Sequence, residues 1–139
     1  MKISYEHHCF GCGELNPFSL GLKFHQKGDE VYTDFIPEQR HQGYPGLLHG
    51  GITSTILDEV MSNSIAAIGL RALTARLEIR FRQSIPIGQK LRAEGRITRK
   101  KSRTIDTEGF IYLEDGRLAA EANARFMLMS DELTKDTAD

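Results

Sequence analysis

The first half of the chain changes from one hydrophobic period to another. Residues 20–26 and 30–36 alternate apolar and polar positions, as strands with one buried face do. Gly28-Asp29 stands between them and favours a tight hairpin turn. Residues 50–67 instead carry apolar side chains four positions apart, which predicts one helix.

After the helical segment the period returns to two for the rest of the chain. The alternation predicts four strands, over residues 74–82, 91–97, 105–114 and 118–128. Every strand has one apolar face and only one helix is available to cover them, so the economical packing wraps the sheet around that helix. We therefore expect an α+β chain with the hotdog fold, one domain over residues 1–129, and a polar, frayed tail at 130–139.

Composition excludes several classes of protein. The chain has 139 residues, 18 basic and 19 acidic, with a formal net charge of −1. Neither sign of charge dominates, so we expect no nucleic-acid or membrane-surface partner. No apolar stretch approaches the roughly 20 residues of a membrane span, and the N-terminus lacks an apolar signal core. A cytoplasmic location is the resulting expectation.

The two cysteines form the motif Cys9-Phe-Gly-Cys12. Such a pair is read as a metal half-site, a redox motif or a tight turn. Zinc needs further ligands, and His7 and His8 are the nearest candidates in the sequence. We predict a glycine-rich structural turn, with no metal and no cofactor.

The predicted helix opens on His49-Gly50-Gly51. Two glycines weaken a helix, but they leave its first N–H groups accessible to a ligand oxygen. The positive end of the helix dipole adds to the attraction for a developing negative charge. This segment is a candidate oxyanion-binding site.

Asp58 lies farther along the same helix. At 100° per residue it shares a side with Gly51, Ser54, Ser62 and Ile65, three of which are small. A carboxylate on a helix wrapped by a sheet needs hydrogen bonds or a chemical function, although spacing alone also allows a solvated position at the rim. Glu59 is the rival carboxylate, and the pattern favours a paired or solvated role for it.

Several motifs resemble one family. His49-Gly-Gly-Ile-Thr-Ser-Thr-Ile-Leu-Asp58 is similar to the motif of the hotdog acyl-CoA thioesterases of the PaaI-like and four-hydroxybenzoyl-CoA thioesterase superfamily. Further similar motifs lie on both sides of it: His41-Gln-Gly-Tyr-Pro-Gly46, Cys9-Phe-Gly-Cys-Gly-Glu-Leu-Asn16-Pro17, Ile79-Arg-Phe-Arg82, Pro86-Ile-Gly88 and Gly116-Arg-Leu-Ala-Ala-Glu-Ala122. The resemblance spans residues 9 to 129.

The resemblance implies a role for specific residues. Asp58 would be general base or nucleophile, and the backbone N–H of Gly50, assisted by that of Gly51, would form the oxyanion hole. The resemblance also implies that Thr74 orients the attacking water from the neighbouring subunit. Strand parity places Thr74 on the face away from the core, so its role is either across the interface or only that of a strand residue with β propensity. His49 would support the loop through a hydrogen bond, with a role as catalytic base as the alternative. The family often has an Asn in the loop before the helix, and here Gln42 is the nearest substitute.

Coenzyme A carries phosphates, so its site needs cations. Two basic groups are candidates: Arg99, Lys100, Lys101 and Arg103 at a turn, and Arg80 with Arg82 on a strand. A charged surface turn without a ligand remains an alternative for each of them.

The favoured function is hydrolysis of an acyl-CoA thioester by a homodimer or homotetramer. One alternative is an acyl-thioester dehydratase or hydratase, which would use His49 and Glu59 as an acid–base pair. The other is a non-catalytic acyl-CoA-binding module, which would tolerate loss of Asp58. The fold alone does not decide among them.

Overall fold

The computed structural model describes residues 3–130. One helix and six strands follow each other along the chain: β1 (His25–Lys27), β2 (Glu30–Phe35), α1 (Gly50–Ala66), β3 (Ala72–Phe81), β4 (Leu91–Lys100), β5 (Thr104–Tyr112) and β6 (Leu118–Leu128). The strands form a single antiparallel sheet in the order β1-β2-β4-β5-β6-β3. The predicted order of two strands, a helix and four strands is confirmed.

The sheet encloses α1, whose Ile56, Leu57, Val60 and Met61 are fully buried. On β4, a Cβ added to Gly95 would overlap the backbone of Val60, so glycine permits the helix to approach the sheet there. On β6, small buried side chains face the helix: Ala120, Ala122 and Ala124. An antiparallel sheet wrapped around one central helix is the hotdog fold, as the hydrophobic pattern predicted.

The segment at 20–26 corrects one detail of that prediction. Only His25–Lys27 pairs with the sheet, as β1. Leu20 and Leu22 are buried, but their N–H groups donate to the carbonyls of Phe10 and Gly11, at 2.8 and 3.0 Å. The alternating pattern therefore belongs to an extended segment that packs on the core. Its backbone hydrogen bonds go to the N-terminal segment and not to a strand.

A β-bulge at Ala75 overturns the predicted orientation of Thr74. Thr74 pairs with Phe126 and Arg76 with Arg125, so Ala75 is an extra residue on β3. The extra residue reverses the alternation, and Thr74 lies on the same face as buried Phe126, toward the helix. The sequence-based prediction had placed it on the outer face.

Within residues 3–130, no helix is long and apolar enough to cross a membrane. The predicted tail at 130–139 lies outside the described residues apart from Ser130.

Candidate active site

The N-terminus of α1 is built around His49. Its Nδ1 accepts the N–H of Gly51 at 2.8 Å, so the imidazole caps the helix. The backbone N–H of His49 donates to the backbone carbonyl of His41 at 2.9 Å, which connects the start of the helix to the preceding loop. The N–H of Gly51 is therefore already used and is not free for a ligand.

Gly50 is the first residue of the helix, and its N–H has no acceptor among residues 3–130. It is exposed and lines a cleft of about 430 Å³ together with Tyr44, Leu47 and Ser84. A second cleft continues past Gly50 toward Phe81 and Arg82. A helix N–H that points into an open cleft can donate to a carbonyl oxygen or an oxyanion.

Asp58 is half-buried and its Oδ1 accepts a hydrogen bond from Thr74 Oγ1 at 2.7 Å. The two side chains line a shallow depression with Ser54, Thr55 and Leu77. Ser54 was expected on this side of the helix, and Thr74 joins it because of the bulge at Ala75. The hydrogen bond holds one carboxylate oxygen and leaves Oδ2 without a partner among the described residues.

Gly50 and Asp58 of one chain are too far apart to contact the same small group. They are eight residues apart on α1, which corresponds to about 12 Å along the axis. A carbonyl group is little more than 1 Å long, so one thioester cannot contact both residues of the same chain. The structure therefore separates the predicted oxyanion hole from the predicted base.

The remaining predicted residues lie around these two points. Gln42 Oε1 accepts the N–H of Gly46 at 3.1 Å, so this side chain braces its own loop. Arg82 Nη2 donates to Glu121 Oε1 at 2.9 Å near the Gly50 cleft, and Arg80 is exposed beside it on β3.

The other basic group spans the last two residues of β4 and the turn that leads to β5. Its members are exposed and form no ion pair within residues 3–130: Arg99, Lys100, Lys101 and Arg103. Thr74, Phe126 and Ile105 are neighbours across three strands, so this turn adjoins the Asp58 end of β3. Arg80 and Arg82 lie at the other end of β3, so the two basic groups are at opposite ends of the sheet along the strand direction.

The acid–base pair required for a dehydratase is not brought together. His49 and Glu59 are ten residues apart along α1, about 15 Å, and each is engaged elsewhere. Glu59 Oε1 accepts a hydrogen bond from the thiol of Cys9 at 3.2 Å, and burial raises the pKa of the Glu59 carboxyl. This arrangement agrees with the paired role expected of Glu59.

Cys12 completes a cluster with Cys9 and Glu59 that the sequence did not reveal. The two sulfur atoms and a carboxylate oxygen lie within 4.8 Å of one another. Burial and the nearby Glu59 carboxylate raise the pKa of the Cys12 thiol. The expected partners of the cysteines were His7 or His8, and Glu59 is some fifty positions away from the motif, so no local spacing could have indicated it.

Comparison with known proteins identifies the family. The model of the thioesterase superfamily matches residues 45–120, more than half of the chain. Acyl-coenzyme A thioesterase THEM5 of Mus musculus is 32% identical over 65 residues, which cover 47% of this chain and 26% of that protein. The match thus spans about a quarter of the curated relative.

Solved structures share the fold. A thioesterase superfamily protein superposes with a TM-score of 0.82 and 26% identity, over 86% of this chain and 63% of that one. A hypothetical thioesterase of Streptococcus pneumoniae, crystallised with coenzyme A, has a TM-score of 0.74 and 17% identity, over 78% and 88% of the two chains. The extent of the family match and the shared fold show that this chain belongs to the thioesterase superfamily.

Proposed function

We propose that the protein is an acyl-CoA thioesterase that hydrolyses its substrate to a free acid and coenzyme A. The observation that carries this proposal is the hydrogen bond between Thr74 and Asp58 in a depression open to solvent. The name of the mouse relative and the coenzyme A in the Streptococcus pneumoniae structure support the substrate class.

Two variants of the Streptococcus pneumoniae protein give further support. In one variant an aspartate is replaced by alanine. In the other, a threonine sixteen positions after that aspartate is replaced by alanine. The same spacing of sixteen residues separates Asp58 and Thr74. The pair that is joined by a hydrogen bond here thus has a counterpart of equal spacing in a relative of the same fold.

Asp58 acts as general base or nucleophile. As a base, its free Oδ2 takes a proton from water, and the hydroxide adds to the thioester carbonyl carbon. The C–S bond of the resulting intermediate then breaks, and the thiolate leaves with the proton returned by Asp58. As a nucleophile, the same oxygen attacks the carbonyl carbon, the C–S bond breaks and the thiolate leaves, and water then hydrolyses the acyl-Asp58 anhydride to the free acid and the Asp58 carboxylate. Thr74 orients the carboxylate in either route, and neither route needs a metal or a cofactor.

The N–H of Gly50 stabilises the oxyanion, and it belongs to a second subunit. Because Gly50 and Asp58 of one chain are about 12 Å apart, a productive site combines Asp58 and Thr74 of one chain with Gly50 of another. Strand β3, which carries Thr74, lies at the edge of the sheet formed by the described residues and is available for such an association. We propose a homodimer with two equivalent sites, and a tetramer would consist of two such dimers.

The phosphates of coenzyme A bind to the exposed cations of the turn between β4 and β5. Lys100 and Lys101 have no ion pair within residues 3–130, whereas Arg82 is partly neutralised by Glu121. Charge-assisted contacts from unpaired side chains cost less than contacts that require an existing ion pair to break. Arg80 and Arg82 supply a secondary contact near the Gly50 cleft.

The test is a panel of acyl-CoA thioesters, with release of free thiol followed over time. We expect turnover of at least one member, and a higher KM for the same acyl group on N-acetylcysteamine, which lacks the nucleotide phosphates. Tight binding of acyl-CoA without thiol release would instead identify a non-catalytic binding module. Addition or loss of water with the thioester intact would identify a hydratase or dehydratase.

A further inference from the structure

The cluster of Cys9, Cys12 and Glu59 lies apart from the residues assigned to hydrolysis. Cys12 is buried, Cys9 and Glu59 are half-buried, and the three ligand atoms lie within 4.8 Å of one another. We propose that these three residues bind one Zn²⁺ ion, with a water molecule as the fourth ligand. This inference does not depend on the proposed hydrolysis, and it replaces the metal-free turn expected from the sequence because the sequence did not reveal the third ligand.

The turn that carries the cysteines is preorganised by glycine. The N–H of Gly13 donates to the carbonyl of Cys9 at 2.8 Å, which closes the chain into one tight turn. A Cβ on Gly13 would overlap the backbone of Cys9 and His7, so no other residue fits there without a shift. The turn brings the two sulfur atoms to one side, as the Cys-x-x-Cys spacing of zinc sites does.

Glycine also admits the third ligand. A Cβ on Gly11 would overlap the Glu59 carboxylate, so the missing side chain lets that carboxylate lie between the two cysteines. The Sγ of Cys9 and Oε1 of Glu59 are 3.2 Å apart. Tetrahedral zinc, with bonds of about 2.3 Å to sulfur and about 2.0 Å to oxygen, requires ligand separations of about 3.5 Å. Small adjustments of the side chains would therefore suffice.

The donor set selects the type of ion. Thiolates favour soft or borderline ions such as Zn²⁺ over Mg²⁺ or Ca²⁺, which prefer oxygen ligands throughout. Binding would release the two thiol protons to solvent, so two thiolates and one carboxylate would meet the dipositive ion. The cluster then has a net charge of −1, the same as two neutral thiols beside an ionised Glu59, so no extra charge is buried.

The site would fasten the N-terminal segment to α1. Cys9 and Cys12 belong to the segment that precedes β1, and Glu59 belongs to the helix. Asp58 is the adjacent residue but faces the depression with Thr74, so the ion would have no contact with the proposed base. We expect the ion to contribute to stability and not to the chemical step.

Cobalt provides a spectroscopic test of this proposal. The full chain is reduced, freed of metal with a chelator and titrated with Co²⁺ under exclusion of oxygen. We expect one equivalent to bind with a thiolate-to-cobalt charge-transfer band in the near ultraviolet, and Zn²⁺ to displace it. Zn²⁺ should also raise the thermal midpoint of unfolding of the wild-type protein by several degrees.

Variants assign the ligands. Cys9→Ser and Cys12→Ser should each remove most of the charge-transfer band, and Glu59→Gln should weaken Co²⁺ binding at least tenfold. His8→Ala is the matched control, because this exposed residue adjoins the motif, and it should bind as the wild-type chain does. The proposal is overturned if the reduced wild-type chain takes up no Co²⁺, if the band survives in the Cys9→Ser Cys12→Ser chain, or if Glu59→Gln binds with unchanged affinity.

Discussion

At the residue scale, Asp58 and Glu59 show how one step along a helix separates two carboxylates. Asp58 lies at a solvent-accessible depression and has a hydroxyl partner, Thr74. Glu59 lies among the cysteines, where burial raises its pKa. Adjacent helical residues project about 100° apart, so neighbouring carboxylates face different surroundings. Of the two carboxylates, Asp58 is the one that lines this depression.

Replacing Asp58 with Asn tests the assignment of the base. The change is nearly isosteric, and Asn can still accept the Thr74 hydrogen bond, so the fold should persist. Because Asn can neither accept a proton from water nor attack as a carboxylate, we expect kcat to fall by at least about a hundredfold. Steady-state thiol release with the best acyl-CoA measures the effect.

Glu59→Gln is the matched control for that measurement and should change kcat much less. Retention of more than about a tenth of wild-type turnover by Asp58→Asn would contradict the assignment. A larger loss in Glu59→Gln than in Asp58→Asn would point to an acid–base pair that uses Glu59.

Thr74 offers a test of the carboxylate's orientation. Thr74→Ala removes the donor to Asp58 Oδ1 and should lower kcat by about tenfold or more, since a hydrogen bond to a charged group contributes roughly 1.5–3 kcal/mol. Thr74→Ser keeps the hydroxyl and should stay within about threefold of the wild type. Equal kcat values for the two variants would show that the hydroxyl does not matter.

At the scale of elements, two consecutive N–H groups at the start of α1 have different surroundings. The N–H of Gly51 donates to His49 Nδ1, whereas that of Gly50 has no acceptor among residues 3–130. On the facing strand, the bulge at Ala75 turns Thr74 toward the helix. The hydrogen bond to His49 occupies the N–H of Gly51, and the bulge changes the face on which Thr74 lies. The helix and the strand both continue past these points.

Gly50→Pro tests the proposed oxyanion hole. Proline lacks an N–H and is favoured at the first position of a helix, which Gly50 occupies. His49 already has the extended backbone that a following proline requires, with φ −63° and ψ 132°. We expect a folded protein whose kcat is lower by about a hundredfold or more, the scale reported for loss of one oxyanion donor.

Gly50→Ala serves as the control because it retains the N–H. Its Cβ would lie 3.8 Å from the ring of Phe81, which is ordinary contact. This variant should therefore lose far less activity, and circular dichroism should show the same helix content in both. If proline and alanine reduce kcat equally, the N–H of Gly50 is not the oxyanion donor.

At the scale of the whole molecule, the proposed active site requires two chains. Within residues 3–130 one edge of β3 has no strand partner, and Leu73 and Phe81 on β3 are 65% and 59% exposed, which is high for large apolar residues. Association along this edge would cover apolar surface and unpaired backbone groups together. It would also provide a Gly50 for each Asp58.

Mixing inactive subunits tests this composite site. Asp58→Asn and Gly50→Pro chains are unfolded together and refolded at equal concentrations, so that half of the dimers are mixed. Each mixed dimer would have one site with both defects and one intact site, which predicts recovery of about a quarter of wild-type activity. No recovery, in samples shown by sedimentation to contain mixed dimers, would place both residues in a site within one chain. A fully active 15.6 kDa monomer would contradict the composite site as well.

The sequence by itself determined the architecture. The change of period between two and 3.6 residues fixed the number, order and type of the main elements, because burial of one face repeats with the geometry of the element. The His-Gly-Gly motif and the position of Asp58 were also visible, since both depend on spacing within one helix.

The tertiary structure decided what depends on contacts between distant residues. Thr74 lies on the face opposite to the predicted one, because Ala75 is an extra residue in β3. Such a bulge is set by the pairing of β3 with Phe126 and Arg125, and a periodic sequence pattern does not show it. Residues 20–24 packed on the core without joining the sheet, because their backbone found partners in the N-terminal segment. Glu59 lies beside Cys9 and Cys12 because the turn with the cysteines packs on α1. Local sequence patterns do not predict such a long-range contact.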